Sequence, residues 1–120
     1  GRVAAVARAD VAAAAAAVLR DPGAHAGATY ELTGPEALTM SEVAERAGRV
    51  LGRSLRFEDE TREEAWASRR AAYPDAPDWQ LEAWVSTYTA IADGSCARVT
   101  DAVERVTGRP ARTLEQTLDG

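Results

Sequence analysis

Apolar positions recur along the chain at two spacings, and the alternation between them predicts the elements. Tyr30 and Leu32 alternate with Glu31 and Thr33, and Leu55 and Phe57 alternate with Arg56 and Glu58, the period-2 signature of half-buried strands. Val43, Ala44, Ala47, Val50 and Leu51 recur at helical spacing, as do Leu81, Trp84, Val85, Tyr88, Ile91 and Ala92. Punctuation agrees with these periods. Asp21-Pro-Gly stops an alanine-rich helix, Gly34-Pro35 breaks a strand, and Gly52, Gly94 and Gly108 close helices. Three capping boxes open helices: Thr39-Met-Ser-Glu42, Thr61-Arg-Glu-Glu64 and Thr113-Leu-Glu-Gln116. In each, the hydroxyl reaches forward to an orphan amide while the acid or amide three residues on reaches back. Asp10 is expected to cap the first helix in the same spirit.

The predicted order is β-α-β-α-β followed by further helices. Strands fall near 2–6, 28–33 and 54–59, and helices near 10–20, 40–51, 62–72, 77–93, 101–107 and 113–119. Strands separated by helices imply an α/β fold with parallel pairing and right-handed crossovers. Three short strands make a thin sheet with a long open edge, and the chain starts inside a strand pattern. The expectation is therefore the second half of a larger fold.

Composition narrows the function classes. At 120 residues with 46% apolar side chains the chain is one domain or part of one, and it is rich enough in apolar groups to form a core. All 14 basic residues are arginine and the formal net charge is −5, so no basic stripe suits nucleic acid or an anionic membrane. The arginine usage and the alanine run at 12–17 suit GC-rich codon bias. No apolar run reaches the ~18 residues of a membrane span, and the first residues hold no secretory signal. One cysteine, Cys96, cannot form an intrachain disulfide and suits a cytoplasmic setting.

Three segments carry a family resemblance: "ARADVAAAAAAVL", "GATYELTGPEALTMSEVAERAGRVLGRSLRF" and "VTDAVERVTGRPARTLEQ". In this order they resemble the C-terminal half of NmrA-like proteins, atypical short-chain dehydrogenase/reductases of the NAD(P)-binding Rossmann superfamily. The match is strongest over 30–38, 42–57 and 100–114, while 61–94 is distinctive in sequence. The resemblance implies a helix-rich C-terminal portion of a Rossmann-type fold, in which 29–33 is a strand of the main sheet and 55–57 a strand of a smaller substrate lobe. It also implies an N-terminal half, absent here, whose glycine-rich turn holds NAD or NADP. This chain has no G-x-G-x-x-G, and without lysine it has no Tyr-x-x-x-Lys pair. No cofactor is expected on this chain alone, because the amide cradle for the pyrophosphate is missing.

Candidate chemistry is sparse. His25 sits in a Pro-Gly-Ala-His-Ala-Gly loop with no evident partner to orient it as a base, so a solvated loop histidine is the simpler reading. Cys96, near Arg98, could be activated, but an inert thiol is the plainer alternative. One histidine and one cysteine do not make a metal cluster. The acidic run Glu58, Asp59, Glu60, Glu63 and Glu64 suits a solvated strand end and a helix start better than a catalytic pair. The aromatics Trp66, Tyr73, Trp79, Trp84 and Tyr88 cluster in one helical segment. Trp84 and Tyr88 lie on the apolar stripe and suit packing, while Tyr73 and Trp79 stand beside prolines. Tyr73, Trp79, Trp84 and the Gly34-Pro35 corner are the candidate wall of a small-molecule substrate pocket, since pockets and cores use the same side chains.

These features point to the substrate-side part of an NAD(P)-dependent oxidoreductase acting on a small carbonyl or quinone-like molecule. An alternative is a redox-sensing regulator that binds dinucleotide and contacts a partner without turnover. Another is a stand-alone α/β module that pairs its open edge with a second copy.

Overall fold

The computed structural model describes residues 1–119. The helices lie where the periodicity and caps place them: α1 (Arg8–Arg20), α2 (Met40–Leu51), α3 (Arg62–Ala72), α4 (Asp78–Ala92), α5 (Ala102–Thr107) and α6 (Leu114–Asp119), with a short 3-10 turn at Pro22–His25. They pack in pairs, α1 on α5, α2 on α6 and α3 on α4. Between them lies a two-stranded sheet of β1 (Arg2–Val3) and β2 (Leu38–Thr39).

All three capping boxes form. Thr39 Oγ1 accepts from the Glu42 amide at 3.1 Å and Glu42 Oε2 accepts from the Thr39 amide at 2.8 Å. Thr61 and Glu64 do the same at 3.2 and 2.8 Å, and Thr113 and Gln116 at 3.1 and 2.9 Å. Each box satisfies two orphan amides of a first turn, which is why these helices start sharply. Gly52 and Gly108 close α2 and α5 in the left-handed region, at φ 68° and 78°.

Strand pairing differs from the sequence expectation. The sheet is antiparallel, with Arg2 opposite Thr39 and Val3 opposite Leu38. The strand expected over 2–6 ends at Val3, because the Ala4 amide donates to the Cys96 carbonyl (2.9 Å) and the Ala4 carbonyl accepts from the Gly34 amide (3.1 Å). Neither 28–33 nor 54–59 is a strand. Alternating side chains favour a pleated surface, but a strand also needs a neighbour's donors and acceptors. Among the described residues 29–33 has no ladder partner. This segment is tied down by side chains instead: the Thr33 hydroxyl, buried, accepts from the Thr100 amide at 2.9 Å, and the Glu31 carbonyl accepts from the Thr100 hydroxyl.

Asp10 is also corrected. Helix α1 starts at Arg8 with Ala7 as its cap, so Asp10 lies inside the first turn. Its side chain is 4% exposed and accepts from the Arg112 amide at 2.7 Å and from the Arg112 guanidinium. A carboxylate buried beside a cationic side chain gains more from these charge-assisted bonds than from capping a solvated end. The small side chains Ala14 and Ala102, with Val103, fill the interior where α1 meets α5. Leu81 and Val85 of α4 are buried as well.

Replacing Asp10 by alanine removes two hydrogen bonds to charged or partly charged donors, and the expected loss of stability is roughly 1.5–3 kcal/mol. Urea unfolding of Asp10→Ala beside Leu19→Ala, a change at an exposed site, checks this; equal midpoints would contradict the clamp.

Candidate substrate cleft

Three clefts meet at one side chain. The first, about 310 Å³, lies between the sheet and helices α2, α4 and α6, and its lining includes Val6, Pro35, Leu38, Val43 and Leu114. The second, about 360 Å³, lies between the starts of α2 and α3 and the end of α4, and Phe57 and Val85 supply its apolar surface. Met40, Tyr88 and Ile91 line both. The third is an open groove between α3 and α4, containing Tyr73 and Trp84, with Tyr88 on its edge.

Helix geometry explains the meeting point. Tyr88 and Ile91 are one turn apart on α4 and project from one face, while Met40 begins α2 directly after β2. Tyr88 remains 43% exposed, and the Arg69 guanidinium lies 5.2 Å from its ring centroid. Arg69 is itself held by Glu60 at 3.1 Å, so the tyrosine ring is braced from the α3 side by a tethered cation.

The first cleft owes one wall to an ion-pair network. Arg46 of α2 donates through Nε to Glu115 at 2.5 Å and through Nη2 to Glu36 at 2.6 Å, joining α2, α6 and the loop before β2. The Arg46 hydrogen bond holds the Glu115 carboxyl down at about 2, against an ordinary value of 4.5. The guanidinium is shifted upward by the same contacts with Glu115 and Glu36.

The sequence candidates separate. Pro35 lines the first cleft. Gly34 beside it is buried, and a Cβ there would stand 2.1 Å from the Ala5 carbonyl oxygen, so this corner accepts only glycine without a backbone shift. Tyr73 and Trp84 stack with ring centroids 5.0 Å apart at 54° and face the third groove. Trp79, 73% exposed in the first turn of α4, lines none of the three. Met40, Tyr88 and Ile91 were not among the sequence candidates. The i, i+3 spacing of Tyr88 and Ile91 was visible, but it also describes ordinary core packing.

Several of the remaining polar candidates have partners. His25 Nδ1 is 2.7 Å from the Tyr30 hydroxyl, with the rings edge to face, and neither residue lines the clefts around Tyr88. Glu58 pairs with Arg56, Glu60 with Arg69, and Glu64 caps α3. Cys96 is half-buried. Among the described residues no group of three or more His, Cys, Asp or Glu side chains could hold a metal ion, and no helix is long and apolar enough to cross a membrane.

The residues present do not fit the pyrophosphate of a dinucleotide. In α2, α3 and α6 a capping box takes up the N-cap amide and one first-turn amide, and α1, α2 and α3 carry a carboxylate in the first turn. Such ends repel rather than attract a phosphate.

No family model matches the chain. It is 41% identical over 103 residues to a (4-alkanoyl-5-oxo-2,5-dihydrofuran-3-yl)methyl phosphate reductase of Streptomyces griseus, covering 86% of this chain and 35% of that protein. It is 34% identical over 116 residues to an NAD(P)H azoreductase of Xenophilus azovorans, covering 97% of this chain and 40% of that one. Its fold superposes with a TM-score of 0.87 on an NADPH-dependent quinone oxidoreductase of Escherichia coli complexed with NADPH, at 25% identity, covering 99% of this chain and 41% of that one. The chain resembles the C-terminal part of an NmrA-like protein. It spans 35–41% of the length of these reductases, and its helix-rich architecture matches the C-terminal portion of a Rossmann-type fold. The NmrA-like resemblance carried by the sequence segments thus agrees with both kinds of comparison.

The carboxyl of Glu115, held below the ordinary carboxylate range by Arg46, makes the tie between α2 and α6 depend on pH. Because its folded value lies below the ordinary one, the Arg46 tie is fully present above about pH 4.5 and is lost as pH falls through about 2. Carboxyl ¹³C shifts should titrate near 2 for Glu115 and return toward 4.5 in Arg46→Gln. An ordinary midpoint in the unsubstituted protein would contradict the tie.

Proposed function

We propose that this chain is the substrate-side portion of an NAD(P)H-dependent reductase acting on small conjugated acceptors such as quinones. The reading rests on one observation: nearly the whole chain aligns with a single stretch of NAD(P)H-dependent reductases, one of them solved with NADPH bound. In this reading residues 1–120 form one unit, and a dinucleotide-binding half elsewhere in the natural protein supplies the nicotinamide.

Each part of the chain then has a role. The apolar clefts beside Tyr88 exclude water and hold a planar acceptor by burial and ring stacking. The Gly34-Pro35 corner shapes the floor of the first cleft. Tyr73 and Trp84 extend the wall toward the outer groove, and Trp79 has no part in it. This chain contributes shape and surface, and proton transfer falls to groups outside it. The dinucleotide-binding half would pack against the extended backbone at 29–33 and the alanine face of α1, where Leu19 is 80% exposed. Both surfaces suit a neighbouring sheet and its flanking layer.

The natural full-length protein, mixed with NADPH and menadione, should oxidise the nucleotide steadily at 340 nm. Tyr88→Ala should raise KM for the quinone roughly tenfold, the scale of losing part of an apolar pocket, with helical circular dichroism unchanged. Tight NADPH binding with no oxidation by any quinone or azo acceptor would replace the reductase reading with that of a redox-sensing regulator.

A further inference from the structure

The two apolar clefts are neighbours, not separate sites. Their linings share Met40, Tyr88 and Ile91, and each volume alone lies at the bottom of the ~300–1,000 Å³ range of ligand pockets. The shared residues lie between the two spaces like a low partition. Met40 is a flexible thioether side chain and Ile91 a stiffer, branched one. The third is an aromatic ring that is neither buried nor free, since Arg69 and Glu60 hold its α3 side. Polar side chains line both spaces as well: Arg112 and Thr117 are among those of the first compartment, and Ser41, Asp59, Glu60 and Arg62 among those of the second.

We infer that Met40, Tyr88 and Ile91 divide one substrate trench into two compartments, and that Tyr88 is the specificity-determining residue because its braced ring sets what can span the partition. This inference rests on the proposed reductase reading for its substrate and deepens it. A ligand with one aryl group fills a single compartment. A ligand of two aryl groups joined by a short linker places one in each, with the linker over the partition and the Tyr88 ring against it. The site therefore prefers elongated two-ring acceptors. The brace gives the preference its sharpness: a free tyrosine would swing aside for either ligand, whereas a tethered ring costs the Arg69 contact when it moves.

Blocking the compartments one at a time from their exposed margins tests the inference. Thr117→Trp narrows the first compartment and Ser41→Trp the second, and both sites are at the surface, where an added ring does not disturb the core. Binding of duroquinone (one ring) and 4-(phenylazo)benzoic acid (two rings) to the full-length protein is measured by calorimetry, and their kcat/KM with NADPH is measured in parallel. Each substitution should weaken the two-ring ligand roughly tenfold or more, while only one of them weakens the one-ring ligand. Arg69→Gln, which removes the brace, should reduce the discrimination between the two ligands. Loss of two-ring binding in only one blocked variant, or parallel losses for both ligands in both variants, would overturn the partition. The calorimetric pattern without any NADPH oxidation would retain the trench and remove the reductase reading. Oxidation without the pattern would do the reverse.

Discussion

The buried carboxylate of Asp10 sets the arrangement of the whole molecule. Taking a charged carboxylate out of water costs several kcal/mol, and the cost is offset only where strong donors are in place. Here both donors come from Arg112, its amide and its guanidinium, 102 residues away in sequence. Helix α1 and the segment leading into α6 must therefore lie side by side. Arg46 ties the same α6 to α2 through Glu115. The two ionic ties fix α6 from both sides and with it Leu114, part of the apolar wall of the first cleft. Removing the first tie would leave the second holding α6 to α2 alone, with α1 free to shift relative to the sheet.

The first seven residues are the other half of that constraint. They run through the centre, pairing with β2 and then exchanging single bonds with the Cys96 carbonyl and the Gly34 amide. Gly34 is required because the Ala5 carbonyl occupies the space of a side chain. The corner read from Gly34-Pro35 as a strand break is therefore a backbone crossing, and the same crossing places Pro35 at the first cleft.

Helices were legible because their signals are local. Each capping box needs only four consecutive residues, and each stripe only a repeat of 3.6, so nothing distant could overrule them. Strands were less legible because a ladder is a relation between two segments. Tyr30 and Leu32 have the right alternation, and the chain is extended there, yet no neighbour among the described residues completes the pairing. Leu38-Thr39 has little alternation and does pair, because the first residues of the chain pass beside it. Asp10 was misplaced for a related reason: its carboxylate could cap locally, but a partner at the far end of the chain binds it more strongly.

The cleft was half legible, and the reason is instructive. Aromatic clustering pointed to α3 and α4, which border the candidate clefts, but it singled out the side chains beside prolines, Tyr73 and Trp79, as the ones off the core stripe. Position on the stripe argued for packing in the case of Tyr88, and packing is what a pocket wall does on its protein side. A residue on an apolar stripe becomes a wall when the facing helix begins too late to cover it. α3 starts only at Arg62 and runs back along α4 with its end at the start of α4, so the last turns of α4 run past the start of α3 and reach the start of α2 at Met40, where Tyr88 and Ile91 border both apolar clefts. Helix lengths relative to one another, rather than composition, decide which stripe residues line a site. That quantity is set by the caps and glycines, so it is written in the sequence, but it can be read only once the helices are known to lie side by side.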